Sequence, residues 1–124
     1  MYSISMYGGV IVKISKELLK GSTSILILSL LNRRSMYGYE MIREIEDRSE
    51  NIFSFKEGTL YPLLHVLEKE KMIESYWEDT ESKRKRKYYR ITDTGRKLLS
   101  QKEKEWKIFT KAVEQVLWEG LIWA

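Results

Sequence analysis

Five consecutive basic residues in the second half of the chain constrain its fold more than any other feature. The run Lys83–Lys87 stands between two segments rich in β-forming residues, Met72–Trp77 and Lys87–Thr92. A segment with helical spacing of leucines, beginning near Glu57, comes directly before them. The order predicts a helix followed by a hairpin with the basic residues in its turn. Such a pair is typical of a surface that binds nucleic acid at two points.

The predicted helix from Glu57 to Glu70 has two different faces. On a wheel of about 100° per residue, four leucines lie on one face, three of them within about 60° of Leu60. They are Leu60, Leu63, Leu64 and Leu67. Pro62 is tolerated in the opening turns because the early amides lack intrahelical acceptors and Gly58, four residues earlier, relieves the ring clash. The leucines are expected to pack on the core, which leaves the opposite face free for binding. That face holds Gly58, Tyr61, Pro62, His65 and Lys69.

Two more helices are expected before this one. Ser22, Thr23 or Ser24 can cap a helix that runs through an apolar stretch to about Arg33. Apolar residues surround the axis of this first helix, so we expect it to be buried on nearly every side, by a second subunit as well as by its own core. The segment 35–38 reads as a turn or helix entry, and Tyr39–Asp47 has helical spacing. Residues 51–55 predict a short strand or an extended link, in which one of Ile52, Phe53 and Phe55 is exposed.

The two ends of the chain are less informative. Residues 1–15 alternate weakly and contain Gly8-Gly9. This favours a flexible N-terminal arm, with a short strand or a partner-binding segment as alternatives. Residues 119–124 form an apolar tail whose role the pattern leaves open.

Thr92 can cap a last helix that extends to about Trp118. Its heptad pattern places apolar side chains along one seam, interrupted only by Lys102, while most surrounding positions are charged. When a small domain has too few remaining apolar residues to cover such a seam, the helix usually pairs with another chain. The predicted dimerisation residues are Leu99, Trp106, Phe109, Val113, Val116 and Leu117.

Composition excludes several classes of function. The chain of 124 residues suits one domain, and without cysteine it has no thiol catalysis, disulfide or thiolate metal site. A single histidine and no glycine-rich phosphate loop give no catalytic set, no metal site and no cofactor. The longest apolar run is far shorter than the roughly 20 residues of a membrane span. We therefore expect a non-enzymatic, cytoplasmic and unprocessed protein that does not enter membranes.

Several segments in the right order resemble PadR-type transcriptional regulators. They are KELLKGSTSILILSLL at residues 16–31, MYGYE at 36–40, KEGTLYP at 56–62, LEKE at 67–70, IESYW at 73–77, and RKYYRIT at 86–92 with Thr94-Gly95. The resemblance covers about residues 16–117 and is closest to the short subfamily that includes multidrug-sensing repressors. Residues 1–15 and the tail Leu121–Trp123 match no feature of that family.

The resemblance implies a mainly α, α+β fold, a winged helix-turn-helix with a C-terminal dimerisation helix. Residues 16–92 would form the DNA-binding domain and residues 93–118 the dimerisation helix. It further implies a homodimer that represses a promoter by binding an inverted repeat of double-stranded DNA. A small effector, aromatic, cationic or drug-like in character, would release the repressor from the DNA. The alternative is a winged-helix module that binds a protein partner through the C-terminal seam and tail.

Residues for each binding role follow from these patterns together with the resemblance. Helix 57–70 is the candidate recognition helix, and the basic hairpin is the candidate wing. The candidate DNA-binding residues are Tyr37, Gly38, Lys56, Thr59, Tyr61, Pro62, His65, Lys69, Lys83, Arg84, Lys85, Arg86, Lys87 and Tyr88. Trp106 is the leading effector-binding candidate, because two indoles near a two-fold axis would form flat walls for a planar guest. Ile14, Leu18 and Phe109 are expected to line the same space.

Overall fold

The computed structural model describes residues 3–7 and 10–119, and the side chains of residues 14–118. Helices dominate these residues, and two small antiparallel sheets accompany them. In chain order the elements are β1 (Ser3–Tyr7), β2 (Val10–Ile14), α1 (Lys16–Lys20), α2 (Thr23–Arg33), β3 (Met36–Tyr37), α3 (Gly38–Arg48), α4 (Glu57–Lys69), β4 (Ile73–Asp79), β5 (Lys85–Ile91), α5 (Asp93–Glu114) and a π-helical turn (Gln115–Glu119).

The core lies between α2, α3, α4 and the inner face of a three-stranded sheet of order β3-β5-β4. Each helix contributes a stripe of aliphatic side chains, and the sheet contributes Met36, Ile73, Tyr89 and Ile91. The series α2, α3, α4, the β4–β5 hairpin and the long α5 is the predicted arrangement, to which the structure adds α1, and the predicted α+β fold class is confirmed.

The N-terminal segment forms a hairpin instead of the flexible arm that we favoured. β1 and β2 are antiparallel, and Ser3 pairs with Ile14 at the base while Tyr7 pairs with Val10 at the tip. The short strand that we left as an alternative is therefore what the structure has.

The start of α2 differs from the predicted side-chain cap. The Ser22 hydroxyl donates to the Leu19 carbonyl (2.9 Å), and the Thr23 hydroxyl donates to that of Lys20 (3.4 Å). Both hydroxyls are thus used to join α2 to the end of α1, so neither caps an amide of α2. Besides Thr23, four apolar side chains of α2 are buried within the chain itself, namely Ile27, Leu28, Leu30 and Leu31.

The link between α3 and α4 is a turn and contains no strand. Glu50 and Asn51 have positive φ angles, and the Phe53 amide donates to the Ser49 hydroxyl (3.0 Å). Our expectation that one of Ile52, Phe53 and Phe55 is exposed was wrong. Phe55 enters the core, while Ile52 and Phe53 are half-buried. The irregular backbone aims the three side chains independently, which a strand would prevent.

The strands of the wing are longer than predicted. β4 and β5 pair in continuous register from Ile73 with Ile91 to Asp79 with Lys85. Lys85, Arg86 and Lys87 therefore lie on β5, and only Lys83 and Arg84 remain in the turn. The Thr80 amide donates to the Arg84 carbonyl (3.1 Å), which closes that turn, and Lys83 has a φ of 63°. Basic side chains that a turn would scatter are thus held on alternating faces of a strand.

α5 begins as predicted. The Thr92 hydroxyl accepts a hydrogen bond from the Gly95 amide (3.0 Å), so the cap is confirmed. Leu99 is a correction to our dimerisation set, because it is only 3% exposed and belongs to the core of its own chain. The helix is still close to its own domain at that point, so intrachain packing covers the side chain before any partner is needed. Further along, Phe109 and Val116 are exposed, and the last turn widens to a π-helix.

Candidate nucleic-acid interface

The helix α4 presents the two faces that the sequence predicts. Leu60, Leu64 and Leu67 are buried, and Leu63 is half-buried against them. Every member of the opposite face is exposed, namely Gly58, Tyr61, Pro62, His65 and Lys69. Thr59 is half-buried beside this face, and Lys56 is exposed just before the helix begins. The exposed face is narrow. Because Pro62 and Gly58 have small side chains or none, the helix backbone can come close to the floor of a DNA groove.

Tyr61 joins this face to the start of α3. A Cβ atom placed on Gly38 would lie 2.6 Å from the Tyr61 hydroxyl oxygen, so the tyrosine packs directly over that glycine. Burial raises the pKa of the Tyr61 hydroxyl, and the Glu57 carboxylate raises it further. Gly38 is itself buried. Gly38 therefore contributes to the predicted DNA site only indirectly, because the absence of a side chain there leaves space for the Tyr61 ring.

The outer face of the sheet carries a row of three tyrosines, one from each strand. The ring of Tyr88 packs edge-on against Tyr37 (centroids 5.5 Å apart) and stacks on Tyr76 (5.8 Å). Two arginines flank the row: Arg86 lies 4.1 Å from the Tyr37 ring centroid, and Arg90 lies 4.8 Å from that of Tyr76. The predicted residues Tyr37, Arg86 and Tyr88 are therefore brought together.

The basic residues of the wing lie on both of its faces. Lys83, Arg84, Lys85 and Arg86 are exposed, whereas Lys87 is half-buried with its ammonium 5.5 Å from the Tyr89 ring centroid. β4 places acidic residues opposite part of this run, since Glu78 pairs with Arg86 and Asp79 with Lys85 in the register. The positive charge is therefore concentrated on β5 and in the turn.

A second site lies away from this surface, between α1, α2, the α3–α4 link and α5. It is an open apolar groove of about 630 Å³. All four predicted effector residues line it, namely Ile14, Leu18, Trp106 and Phe109. The rings of Trp106 and Phe109 are neighbours, with centroids 6.1 Å apart. Glu103 and Glu114 are the charged residues that line the groove within the described part of the chain.

Comparison with known proteins places this architecture in a family. The model of the PadR-like transcriptional regulator family matches residues 27–101, from α2 into α5. The chain belongs to the PadR-like family. It is therefore a DNA-binding transcriptional regulator, and the family implies a non-enzymatic role.

Relatives of similar length support the assignment. A protein of Lysinibacillus sphaericus is 40% identical over 108 residues, which cover 87% of this chain and 98% of that protein. A transcriptional regulator structure from Clostridium thermocellum is 36% identical with a TM-score of 0.77, covering 84% of this chain and 98% of that one. A PadR-like regulator from Bacillus cereus is 32% identical with a TM-score of 0.74, covering 83% and 98%.

The part of the chain that the structure describes lacks both a membrane-spanning helix and a cluster of metal-ligating side chains. Residues there form no helix long and apolar enough to cross a membrane. The same residues include no group of three or more His, Asp or Glu side chains that could hold a metal ion.

Sequence reasoning missed several residues of the groove and two exposed apolar side chains elsewhere. The groove is also lined by Ile25, Leu26 and Phe53, which lie far from Trp106 in sequence. Ile108 is 72% exposed on α5 although it stands outside the two heptad positions that we followed. Trp77 is 63% exposed on β4. A wider helical wheel would have found Ile108, and strand alternation from Ile73 would have placed Trp77 on the inner face.

Proposed function

We propose that this PadR-like protein is a dimeric repressor that binds an inverted repeat of double-stranded DNA and is released by a small aromatic, cationic effector. The observation that carries the proposal is the pairing, in one domain, of the exposed face of α4 with the basic strand β5. An exposed polar helix face suits the major groove, where base edges are distinguishable. A basic hairpin beside it suits the phosphates and the adjacent minor groove.

The exposed apolar surface of α5 supports the dimer. Ile108, Phe109, Val116 and Leu117 are each about half exposed or more in the single chain. On the helical wheel Phe109, Val116 and Leu117 form one arc of about 100° together with Trp106 and Val113, whereas Ile108 lies about 80° beyond its edge. Apolar arcs of this width on a monomer mark interaction surfaces. A second copy of α5 is the simplest partner, since two-fold dimers use the same patch on both subunits.

The groove supports control by a small molecule. Its walls are aromatic and aliphatic, and its charged lining residues in the described chain are the two carboxylates of Glu103 and Glu114. Apolar walls with few charged groups are typical of ligand sites, and carboxylates favour a cation. The effector class that fits is a planar aromatic cation. Because α5 lines the groove and also carries the exposed arc, a guest in the groove would alter how two copies pack and hence how far apart two wings lie.

The test is protection of the DNA upstream of the protein's own coding sequence. Purified protein should protect two half-sites related by a two-fold axis, with centres about one helical turn apart or a multiple of it. A planar cationic dye should weaken the protection. Protection of a single half-site would contradict the dimer, and protection that is indifferent to every planar cation would contradict the effector.

The alternative is a winged-helix module that binds a protein through the C-terminal seam and tail. The tail at residues 120–124 lies outside the described residues. The two functions can be distinguished by whether binding of the partner depends on the basic residues of the wing. Removing the charges of residues 83–87 should abolish binding of a repressor to DNA, whereas binding to a protein at the seam should persist.

A further inference from the structure

Trp77 is a large apolar side chain that the predicted DNA site did not include. It exposes 63% of its surface on the edge strand of the sheet. It is also the most exposed of the three tryptophans whose side chains the structure describes, the others being Trp106 and Trp118. Single exposed apolar residues are common on protein surfaces, so its meaning depends on its neighbours.

Strand alternation determines which side of the wing the indole occupies. Ile73 is buried in the core, and the Ser75 hydroxyl donates to the Glu68 carboxylate of α4. Because side chains alternate along a strand and the register with β5 is continuous, Trp77 points to that same side. It lies two residues closer to the tip than the Ser75–Glu68 hydrogen bond. The indole therefore overhangs the space between α4 and the wing.

The charges beside Trp77 indicate what would fill that space. Lys87 is its direct partner in the register, and Lys85 is the next residue of β5 on the same face. Lys87 is held with its ammonium near the Tyr89 ring, and Lys85 is exposed. Asp79, opposite Lys85, is the acidic residue of this face near the tip. An apolar side chain that shares one face with two lysines fits a polyanion with an apolar component, such as a DNA backbone with its sugars.

We propose that Trp77 contacts DNA directly, packing its indole on the deoxyriboses at the mouth of the minor groove while Lys85 and Lys87 contact the flanking phosphates. Apolar side chains are commonly used against the minor groove, most often as wedges between base steps. The inference rests on the proposed docking of the wing, and it assigns the neutral, apolar part of that contact to one residue.

The experiment separates an apolar contact from an ionic one through salt dependence. Binding of a duplex carrying the protected upstream sequence is measured over a range of salt for wild type, Trp77→Ala, Trp77→Phe and Lys85→Ala. Trp77→Ala should weaken binding roughly 5- to 100-fold, because the complex loses the burial of a large apolar side chain. Its line of log K against log salt should run parallel to that of wild type, because the number of released counterions is unchanged. Trp77→Phe should restore most of the affinity.

Lys85→Ala supplies the matched contrast on the same face. It should flatten the salt slope by about 0.9, the contribution of one phosphate contact. Tryptophan fluorescence gives a second measurement of the contact between the indole and DNA. The duplex should shift the tryptophan fluorescence of wild type, and the shift should be largely absent in Trp77→Phe.

Three outcomes separate failure of the repressor function from failure of the Trp77 contact. If wild type binds no duplex, the proposed repressor function fails and the inference fails with it. If wild type binds and Trp77→Ala matches it at every salt concentration, only the inference is overturned. If Trp77→Ala binds weakly but the DNA-dependent fluorescence shift survives in Trp77→Phe, the indole does not touch DNA and the inference is also overturned.

Discussion

The guanidinium carbon of Arg86 lies 4.1 Å from the centroid of the Tyr37 ring. Arg86 is on the middle strand of the wing sheet, and Tyr37 immediately precedes α3. This contact therefore joins the basic hairpin to the helix-turn-helix. It also gives Arg86 a structural role, whereas the sequence presents it only as one charge among five.

We expect this pair to contribute to stability through the planar shape of the guanidinium. Arg86→Lys keeps the charge but loses the flat group that lies over the ring. A double-mutant cycle with Tyr37→Leu, measured by urea unfolding, should give a coupling of roughly 0.5–1 kcal/mol. Arg84→Lys is the matched control, because Arg84 makes no ring contact among the described residues. Equal effects of Lys at positions 84 and 86 would contradict the prediction.

The basic residues of the wing should supply affinity without sequence preference. Replacing Arg84, Lys85 and Arg86 together by alanine should weaken specific and non-specific duplexes equally, because phosphate contacts carry no sequence information. The slope of log K against log salt should fall by about 0.9 for each phosphate that the variant no longer neutralises. Lys104→Ala removes an exposed charge from α5, away from the wing, and should leave the slope unchanged. An unaltered slope in the triple variant would rule out phosphate binding by these residues.

Gly95 should be the least replaceable glycine of the described helices. A Cβ atom there would lie 2.1 Å from the Met72 carbonyl oxygen and 2.7 Å from the Ile91 side chain. Because the first of these is backbone, it cannot rotate away, and Gly95→Ala should lower the free energy of unfolding by roughly 2–4 kcal/mol.

Gly58→Ala is the matched control for that substitution. Gly58 also lies in the first turn of a helix, but nothing stands within 4 Å of an added Cβ atom. The Pro62 ring therefore does not need a glycine at position 58, contrary to what the sequence suggested. Alanine there should stabilise the protein by about 0.5–1 kcal/mol, since glycine is the poorer helix former. Similar free energies for the two variants would show that α5 does not pack on Met72 as the structure has it.

The exposed arc of α5 should control the oligomeric state. Val116→Glu together with Leu117→Glu places two charges in the arc while leaving the residues of the groove intact. Sedimentation analysis should show wild type as a dimer and the double variant as a folded monomer, because burying unpaired carboxylates is strongly unfavourable. Glu105→Gln, on the flank of the same helix, should remain dimeric. A dimeric double variant would exclude this part of α5 from the interface.

The groove should bind planar aromatic cations through Trp106 and Glu103. Titration of wild type with a planar cationic dye should quench tryptophan emission, and Trp106→Ala should weaken dye binding by about tenfold or more. Glu103→Gln should weaken binding of the cation but spare a neutral planar analogue, since only the charge is removed. Trp77→Phe keeps the groove intact and should bind the dye as wild type does. Identical quenching in wild type and Trp106→Ala would remove the groove from consideration.

Much of the candidate site follows from the sequence because its signals are local. The leucine spacing of α4 is a property of thirteen successive residues, and it separates the buried face from the face around Pro62 and His65 correctly. The cap at Thr92 is similar, since it involves a residue only three positions further on. Motifs in the right order were enough to indicate the family.

The sequence by itself thus determined the helices α2 to α5, the β4–β5 hairpin, the family and the concentration of positive charge on one short segment. Tertiary structure alone decided how far the strands of the wing extend, because pairing with Glu78 and Asp79 draws Arg86 and Lys85 out of the turn. It also decided that Leu99 belongs to the core and Phe53 to the groove, since burial depends on which distant segments meet. For Lys83–Lys87, the sequence sets the number of positive charges, and strand pairing sets which face of the wing each basic side chain occupies.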